Sequence, residues 1–221
     1  MGRTVLVTGA NRGIGLELCR QLSAEGDRVV GACRTSSGQL DGLEVRVEEG
    51  VDITSEDSVR SLVRRLEGQP IDVLINNAGI LTRESLDSMD FDAVRLQFEV
   101  NAVGPLRVTH ALLPNLGPGA KVGFITSRMG SIEDNTSGSR YGYRMSKAAL
   151  NMAGVSLATD LKERGIAVAI IHPGYVRTDM THHNGLVDPP QADAGILARL
   201  EALTMAETGS FWHANGEILP W

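Results

Sequence analysis

The 221 residues hold 42% hydrophobic and 22% charged side chains. That composition suits one folded domain with a full apolar core, and the formal net charge of -6 argues against nucleic acid as the main partner. Two cysteines without CxxC spacing exclude a disulfide framework or thiolate zinc site, and no apolar run approaches membrane-spanning length.

The opening residues run almost directly into a strand pattern and carry no signal-like hydrophobic region, so the expected location is cytoplasmic. Thr4-Val5-Leu6-Val7 reads as a first strand. It leads into Thr8-Gly9-Ala10-Asn11-Arg12-Gly13-Ile14-Gly15 and a helical pattern with Ile14, Leu18 and Leu22 four apart. Glycines between a strand and a helix N-terminus allow a tight turn and close approach of a pyrophosphate to backbone N–H groups. The spacing is GxxxGxG, and three glycines alone fit a plain strand–helix turn better than a nucleotide loop.

Asp27–Ala32 reads as a second strand, followed by Cys33-Arg34. An acid here would favour NAD through the ribose diol. The position instead holds Arg34, and Arg12 in the glycine loop adds a second cation. Two cations without an acid suit a ribose 2′-phosphate and hence NADP(H) over NAD(H); otherwise Arg34 is a solvated loop charge.

Leu43–Val47 alternates as a third strand, and Thr54 with Asp57 forms a capping-box-like start to a helix with Val59, Leu62, Val63 and Leu66 on one face. Asp52 and Ile53, just before it, fit either a loop or the adenine end of a nucleotide site. Ile71–Ile75 is a fourth strand ending at Asn76-Asn77-Ala78-Gly79, where an open parallel sheet binds ligands. A helix then runs from about Ser88 to Leu113, with a local distortion expected at Asn101 because Gly104-Pro105 follows.

Lys121–Thr126 is a fifth strand ending at Ser127, and a polar loop, Glu133–Arg140, delivers the chain to a helix headed by Tyr143 and Lys147. These two lie on one helix face, where an ammonium beside a phenol lowers the phenol pKa. Gly165–Ile171 is a sixth, continuously apolar strand, followed by Pro173, Gly174, Val176 and Thr178. Thr181–Pro190 reads as a flexible substrate lid, Gln191–Met205 as a helix, and Gly209–Leu219 as a short strand or hairpin around Asn215-Gly216. His182-His183 lacks a third ligand at a supporting spacing and reads as a loop pair, so no metal site is expected.

This alternation predicts an α/β fold: a Rossmann-type doubly wound parallel sheet of about seven strands, helices on both faces, in a single domain over residues 1–221. TGANRGIG at Thr8–Gly15, Asp52, NNAG at Asn76–Gly79, Asn101, Ser127, Tyr143-x-x-x-Lys147 and Pro173-Gly174 together resemble the short-chain dehydrogenase/reductase family over essentially the whole chain. The runs Thr126–Ser131, Tyr143–Met152 and Gly216–Trp221 resemble its C-factor-like branch, which includes sniffer-type carbonyl reductases.

The resemblance implies NADPH-dependent reduction of an aldehyde or ketone to an alcohol. It assigns Tyr143 as general acid/base, Lys147 to the Tyr143 pKa and the cofactor ribose, Ser127 to the carbonyl oxygen and Asn101 to a water in a proton relay. It assigns the cofactor to Gly9, Asn11, Arg12, Gly13, Ile14, Gly15, Arg34, Asp52, Ile53, Asn77, Ala78, Gly79, Tyr143, Lys147, Pro173, Gly174, Val176 and Thr178. It also implies a homodimer or homotetramer acting on a small carbonyl or alcohol, with no nucleic-acid or membrane partner. Two other readings stand beside it: a 3-oxoacyl thioester reductase, though Thr181–Asp188 has no Lys or Arg to dock an acyl carrier, and a C-factor-like cofactor-binding signalling protein with little turnover.

Overall fold

The computed structural model describes Gly2–Trp221; Met1, the first residue of the expected 1–221 domain, lies outside the described residues. Seven parallel strands form one sheet in the order β3-β2-β1-β4-β5-β6-β7. They are β1 (Thr4–Thr8), β2 (Arg28–Ala32), β3 (Arg46–Glu48), β4 (Val73–Asn76), β5 (Lys121–Ile125), β6 (Ala167–His172) and β7 (Phe211–His213). The strands are added one way from β1 to β3 and the other way from β4 onward, so the order reverses between β1 and β4, which run parallel with Val5 against Val73 and Val7 against Ile75. A crevice opens at the carboxyl ends of strands at such a switch point.

The strands are apolar on both sides because both faces are covered. Helices α1 (Gly13–Ala24), α2 (Gly38–Asp41) and α7 (Pro189–Ala202) pack one face, where Val5, Val7, Leu18, Leu22, Ile171, Ile196 and Leu200 join one apolar cluster. Helices α3 (Glu56–Arg65), α5 (Gly104–Leu112) and α6 (Tyr141–Asp160) cover the other, where Leu6, Leu62, Leu112, Phe124, Leu150 and Val168 form a second cluster. Val5 and Val7 belong to one cluster and Leu6 to the other, the period of two expected of a strand.

The third strand is shorter than Leu43–Val47. The Leu43 N–H still donates to Leu40 O, and the Val45 N–H turns back to Leu43 O, so pairing with β2 begins only at Arg46. Helix α3 is capped by Ser55, whose hydroxyl accepts from the Ser58 N–H at 3.3 Å, rather than by Thr54. The Thr54 N–H and hydroxyl both donate to Asp52 Oδ1, at 2.9 and 2.7 Å.

The expected long helix is broken as the Asn101 region suggested. Asp90 caps α4 (Phe91–Phe98), a π-helical turn spans Glu99–Val103, and α5 continues from Gly104. Pro105 lacks the N–H that would serve the Asn101 carbonyl four residues back, which favours the wider turn. The segment expected as a lid is tied down: the Arg177 N–H donates to Val187 O at 2.9 Å, the Val187 N–H donates to Tyr175 O at 3.1 Å, and Val176 bridges Val187. Of this segment only its first residue, Thr181, lines the crevice, and Pro189 already begins α7. The hairpin around Asn215-Gly216 forms through the His213 N–H to Glu217 O and one Trp212–Ile218 bridge. Among the described residues no helix is long and apolar enough to cross a membrane, and no cluster of metal-ligating side chains occurs.

Asp193 of α7 is fully buried beside Glu17 of α1, and no hydrogen bond of ordinary geometry reaches either of its oxygens. Burial and then the Glu17 charge push its pKa up to about 9, with the Leu18 N–H opposing them. The folded value lies above the unfolded one of ~3.9, so the folded state holds the extra proton. The associated stability is full below the unfolded value and falls as pH rises towards 9. Asp193→Asn removes the ionisation. It is expected to raise unfolding free energy at pH 8 by about 1–3 kcal/mol, with a smaller gain at pH 5, as thermal unfolding at the two pH values would report.

Candidate active site

A cleft of about 1010 Å³ lies at the carboxyl ends of the strands. It exceeds what a small substrate needs alone and suits a dinucleotide with a substrate beside it. All but two of the residues expected at the site line it; Gly15 and Asn101 do not.

Gly15 lies beneath the glycine loop. A Cβ there would sit 2.2 Å from Gly9 O and 2.6 Å from Asn77 Nδ2, so glycine lets α1 close against the end of β1. Gly9 has φ +68, and a Cβ on it would meet Ala78 Cα at 2.8 Å. Asn77 holds this junction: its N–H donates to Thr8 Oγ1 at 3.1 Å, and its side-chain amide donates to Thr8 O at 3.0 Å and Gly9 O at 3.3 Å. The Asn11 side chain is likewise turned to Thr35 O, at 2.9 Å. The loop is therefore pre-shaped by the chain itself.

Beyond β2, Arg34 lines the cleft and makes no ion pair among the described residues, whereas Arg12 lies 3.7 Å from Asp179 across the opening. Asp52 is held below the usual carboxylate range, first by the Thr54 hydroxyl and N–H, with Arg34 and Arg107 adding to the effect.

At the other end of the cleft stand Ser127, Tyr143 and Lys147. Ser127 follows β5, and its hydroxyl accepts from the Met129 N–H at 3.1 Å. Tyr143 is buried in the first turn of α6 beside Ser127. The Lys147 ammonium donates to Ile125 O at 2.9 Å and lies 5.7 Å from the centre of the Tyr143 ring. The expectation that Lys147 lowers the Tyr143 pKa needs correction for the chain by itself. Burial dominates both groups: it pushes the phenol up to about 12, against a smaller opposing effect of Ser127, and the ammonium down to about 8. A buried group disfavours its charged form, and the ammonium is too distant here to reverse that.

Asn101 is fully buried in the π-helical turn. Its Oδ1 accepts from the Ile80 N–H at 2.8 Å, and its Nδ2 donates to Ile80 O at 2.9 Å and Ser146 Oγ at 3.0 Å. The side chain thus has no free face for a water, and only its backbone carbonyl, deprived of Pro105, suits that part.

Sequence reading missed Glu84 and Ser146. Helix α6 begins from Arg140 at φ 51, ψ 47, with no side-chain cap of its own. Glu84, buried in the loop after β4, supplies the acceptor: its carboxylate takes the Gly142 N–H at 3.3 Å and the Gln97 amide at 3.0 Å, and also bonds Thr82. Its backbone carbonyl takes the Arg140 N–H at 2.8 Å. An acid placed 58 residues before its partner leaves no local sequence signal.

The family model for short chain dehydrogenases matches residues 3–186. The chain is 42% identical over 224 residues to a 1-hydroxy-2-glutathionyl-2-methyl-3-butene dehydrogenase of Rhodococcus sp. (strain AD45), covering 99% of each. It is 44% identical over 155 residues to the C-signal of Myxococcus xanthus, covering 69% of this chain and 93% of that one. The solved structures that share 30% identity with it include the carbonyl reductase Sniffer of D. melanogaster, at a TM-score of 0.92 and full coverage of both chains, and an NADPH-bound carbonyl reductase from chicken fatty liver, at 0.89 with 100% of this chain and 99% of that one covered.

Removing the Glu84 carboxylate strands the Gly142 N–H and the Gln97 amide in the interior. Glu84→Ala is expected to lower unfolding free energy by about 1–3 kcal/mol, read by urea denaturation.

Proposed function

The chain belongs to the short-chain dehydrogenase family, and on that premise we propose that it interconverts a carbonyl and an alcohol with NADP(H), through Tyr143. The observation that carries this is the convergence of Ser127, Tyr143 and Lys147 at one end of a cleft whose other end is a glycine-shaped loop. The residues fit a dinucleotide: Gly9 and Gly15 let the loop pack tightly beneath the cleft, Gly13 faces it without a side chain, and Gly79 lies against Asn101 and Lys147 with no side chain between. When bound, the reduced nicotinamide supplies the hydride. Arg34, without an acid partner, supports the preference for the 2′-phosphate, and Arg12 is within reach of it once parted from Asp179.

Tyr143 donates a proton to the carbonyl oxygen during reduction and takes it back from the hydroxyl during oxidation. Ser127 holds the same oxygen beside Tyr143. Lys147 stays cationic below about 8, and Ile125 O directs its ammonium into the cleft wall. The Asn101 carbonyl holds the water that passes the proton outward.

The Rhodococcus relative is named for a hydroxy compound bearing a glutathionyl group, which favours an alcohol–carbonyl pair on a larger adduct over a simple alcohol. The likeness to the C-signal protein supports a second reading, a cofactor-binding signal protein with little turnover. That reading requires cofactor binding without Tyr143-dependent chemistry. Exposed Phe91 and Leu106 on α4–α5 and Met145 and Met152 on α6 suit burial against a second copy, and the two unpaired buried thiols suit a cytoplasmic setting.

NADPH is expected to raise the unfolding midpoint more than NADH at equal concentration, with the difference lost in Arg34→Ala. With NADPH and a panel of aldehydes and ketones, Tyr143→Phe should reduce kcat by about 10²–10⁴-fold; a variant that binds NADPH and keeps its rate overturns the proposal. Reduction needs the protonated phenol and oxidation the phenolate. Alcohol oxidation should therefore rise with pH, while reduction holds through neutral pH.

A further inference from the structure

Several charges at the mouth of the cleft take no part in the mechanism above. Four arginines line it beyond the nucleotide end: Arg83, Arg128, Arg140 and Arg144. Arg128 is satisfied by Asp134 at 3.2 Å and Glu217 at 3.0 Å. Among the described residues, Arg83, Arg140 and Arg144 form no ion pair. The nearby acid Glu84 is buried, and its carboxylate is bound to Thr82, Gln97 and Gly142. Asp134, also on the cleft, is engaged by Arg128.

Of the three, Arg144 is held by its side chain and Arg140 by its backbone, while Arg83 is exposed. The Arg144 Nε donates to Gly138 O and Ser139 O, both at 3.1 Å, and its Nη2 donates to Ser137 Oγ at 2.8 Å. Its other donors remain for a ligand, since a guanidinium has five N–H groups in a fixed fork. Ser139 and Arg140 both take left-handed backbone, φ 59 and φ 51, an uncommon conformation for side chains of this size. Glu84 O holds that bend through the Arg140 N–H at 2.8 Å and the Ser139 hydroxyl at 3.1 Å. The bend sets Arg140 one turn before Tyr143, and Arg144 immediately follows it. Arg140 and Arg144 are half-buried. The Arg140 charge adds to burial in lowering the Arg144 pKa, so the two repel each other with no acid between them. Strained backbone held open to keep like charges together points to a ligand that relieves the repulsion.

We propose that Arg83, Arg140 and Arg144 form a carboxylate-recognition rim, and that the substrate is an anionic carbonyl or alcohol whose reacting carbon reaches Tyr143 while its carboxylates rest on the rim. Leu81, Leu96 and Met129 line the same cleft and suit an apolar stretch of that substrate. Carboxylate against a planar guanidinium gives paired, charge-assisted hydrogen bonds, which a neutral substrate cannot make. This inference rests on the oxidoreductase reading for what happens at Tyr143, but the rim is tested by binding alone. The peptide adduct in the name of the Rhodococcus relative carries carboxylates of this kind and supplies a probe.

The experiment is calorimetric titration of NADP⁺-loaded protein with S-methylglutathione and with its diethyl ester, so that the nucleotide-end arginines are already occupied. The free acid is expected to bind about tenfold more tightly than the ester, the scale of a hydrogen bond to a charged group. The preference should weaken as salt rises. It should disappear in the Arg140→Gln/Arg144→Gln double variant and persist in Arg60→Gln, which removes an unrelated surface cation of α3. Arg83 is exposed at the cleft mouth. Arg83→Gln therefore offers a variant in which loss of the fold does not confuse the result, and it should reduce the preference about threefold. Equal binding of acid and ester, no binding of the acid, or a preference unchanged in the rim variants overturns the proposal. Failure of the oxidoreductase reading is separate: it shows as no Tyr143-dependent NADPH oxidation with neutral aldehydes, whatever the titrations give.

Discussion

The amide of Asn101 is the interaction on which the site depends. It closes a reciprocal pair with the backbone of Ile80 and adds a bond to Ser146, whose hydroxyl in turn donates to Tyr143 O at 2.9 Å. One fully buried side chain thereby joins the loop after β4, the π-helical turn and the helix that carries Tyr143. A buried amide with such a network is costly to disrupt, because each lost partner leaves a polar group unsatisfied in the interior. The π-helical turn itself follows from two local facts: Pro105 removes a donor, and Asn101 is drawn towards Ile80. The distortion is the means by which the helix brings this amide to the junction.

The same packing sets the electrostatics. Tyr143 and Lys147 are both buried, and burial moves their pKa values in opposite directions, the phenol to about 12 and the ammonium to about 8. Burial thus penalises the charged form of each: the phenol stays neutral, while the ammonium keeps its charge only below about 8. A neutral phenol is a competent acid but a poor base. A cationic partner brought close to it in the assembled complex shifts that balance more strongly here than at a wet surface, because the local dielectric is low. The arginines at the two ends of the cleft extend the pattern: the chain places positive charge where it leaves few acids to meet it, despite an overall charge of -6.

Much of the fold was legible from local chemistry. Strand periodicity, the glycine spacing and the break before Pro105 each state a backbone requirement that only a few residue types meet. What escaped was long-range. Nothing around Glu84 announces a helix cap delivered to Gly142, and nothing near Asp193 announces burial without a partner. The early start expected for β3 failed because alternation reports which side chains face the core, and Leu43 and Val45 do pack there while their backbone still turns. The lid expectation failed similarly: the polar composition of Thr181–Pro190 gave no hint of the backbone bonds that fasten it to Tyr175–Arg177. The Tyr143–Lys147 spacing correctly gave a shared face, but it could not give the depth of burial that reverses the expected direction of the phenol shift.

That fastened segment bears on how such a cleft can change its clientele. The Val176–Val187 bridge encloses a short excursion whose tip, His182–Asn184, is exposed and already includes two residues in left-handed backbone. Lengthening the tip leaves the bridge, the sheet and α7 untouched. A flexible insertion costs chiefly loop-closure entropy, about 0.6 kcal/mol for each doubling of length. The excursion is thus a natural point of growth, where added residues can reach over the mouth without disturbing the chemistry beneath it.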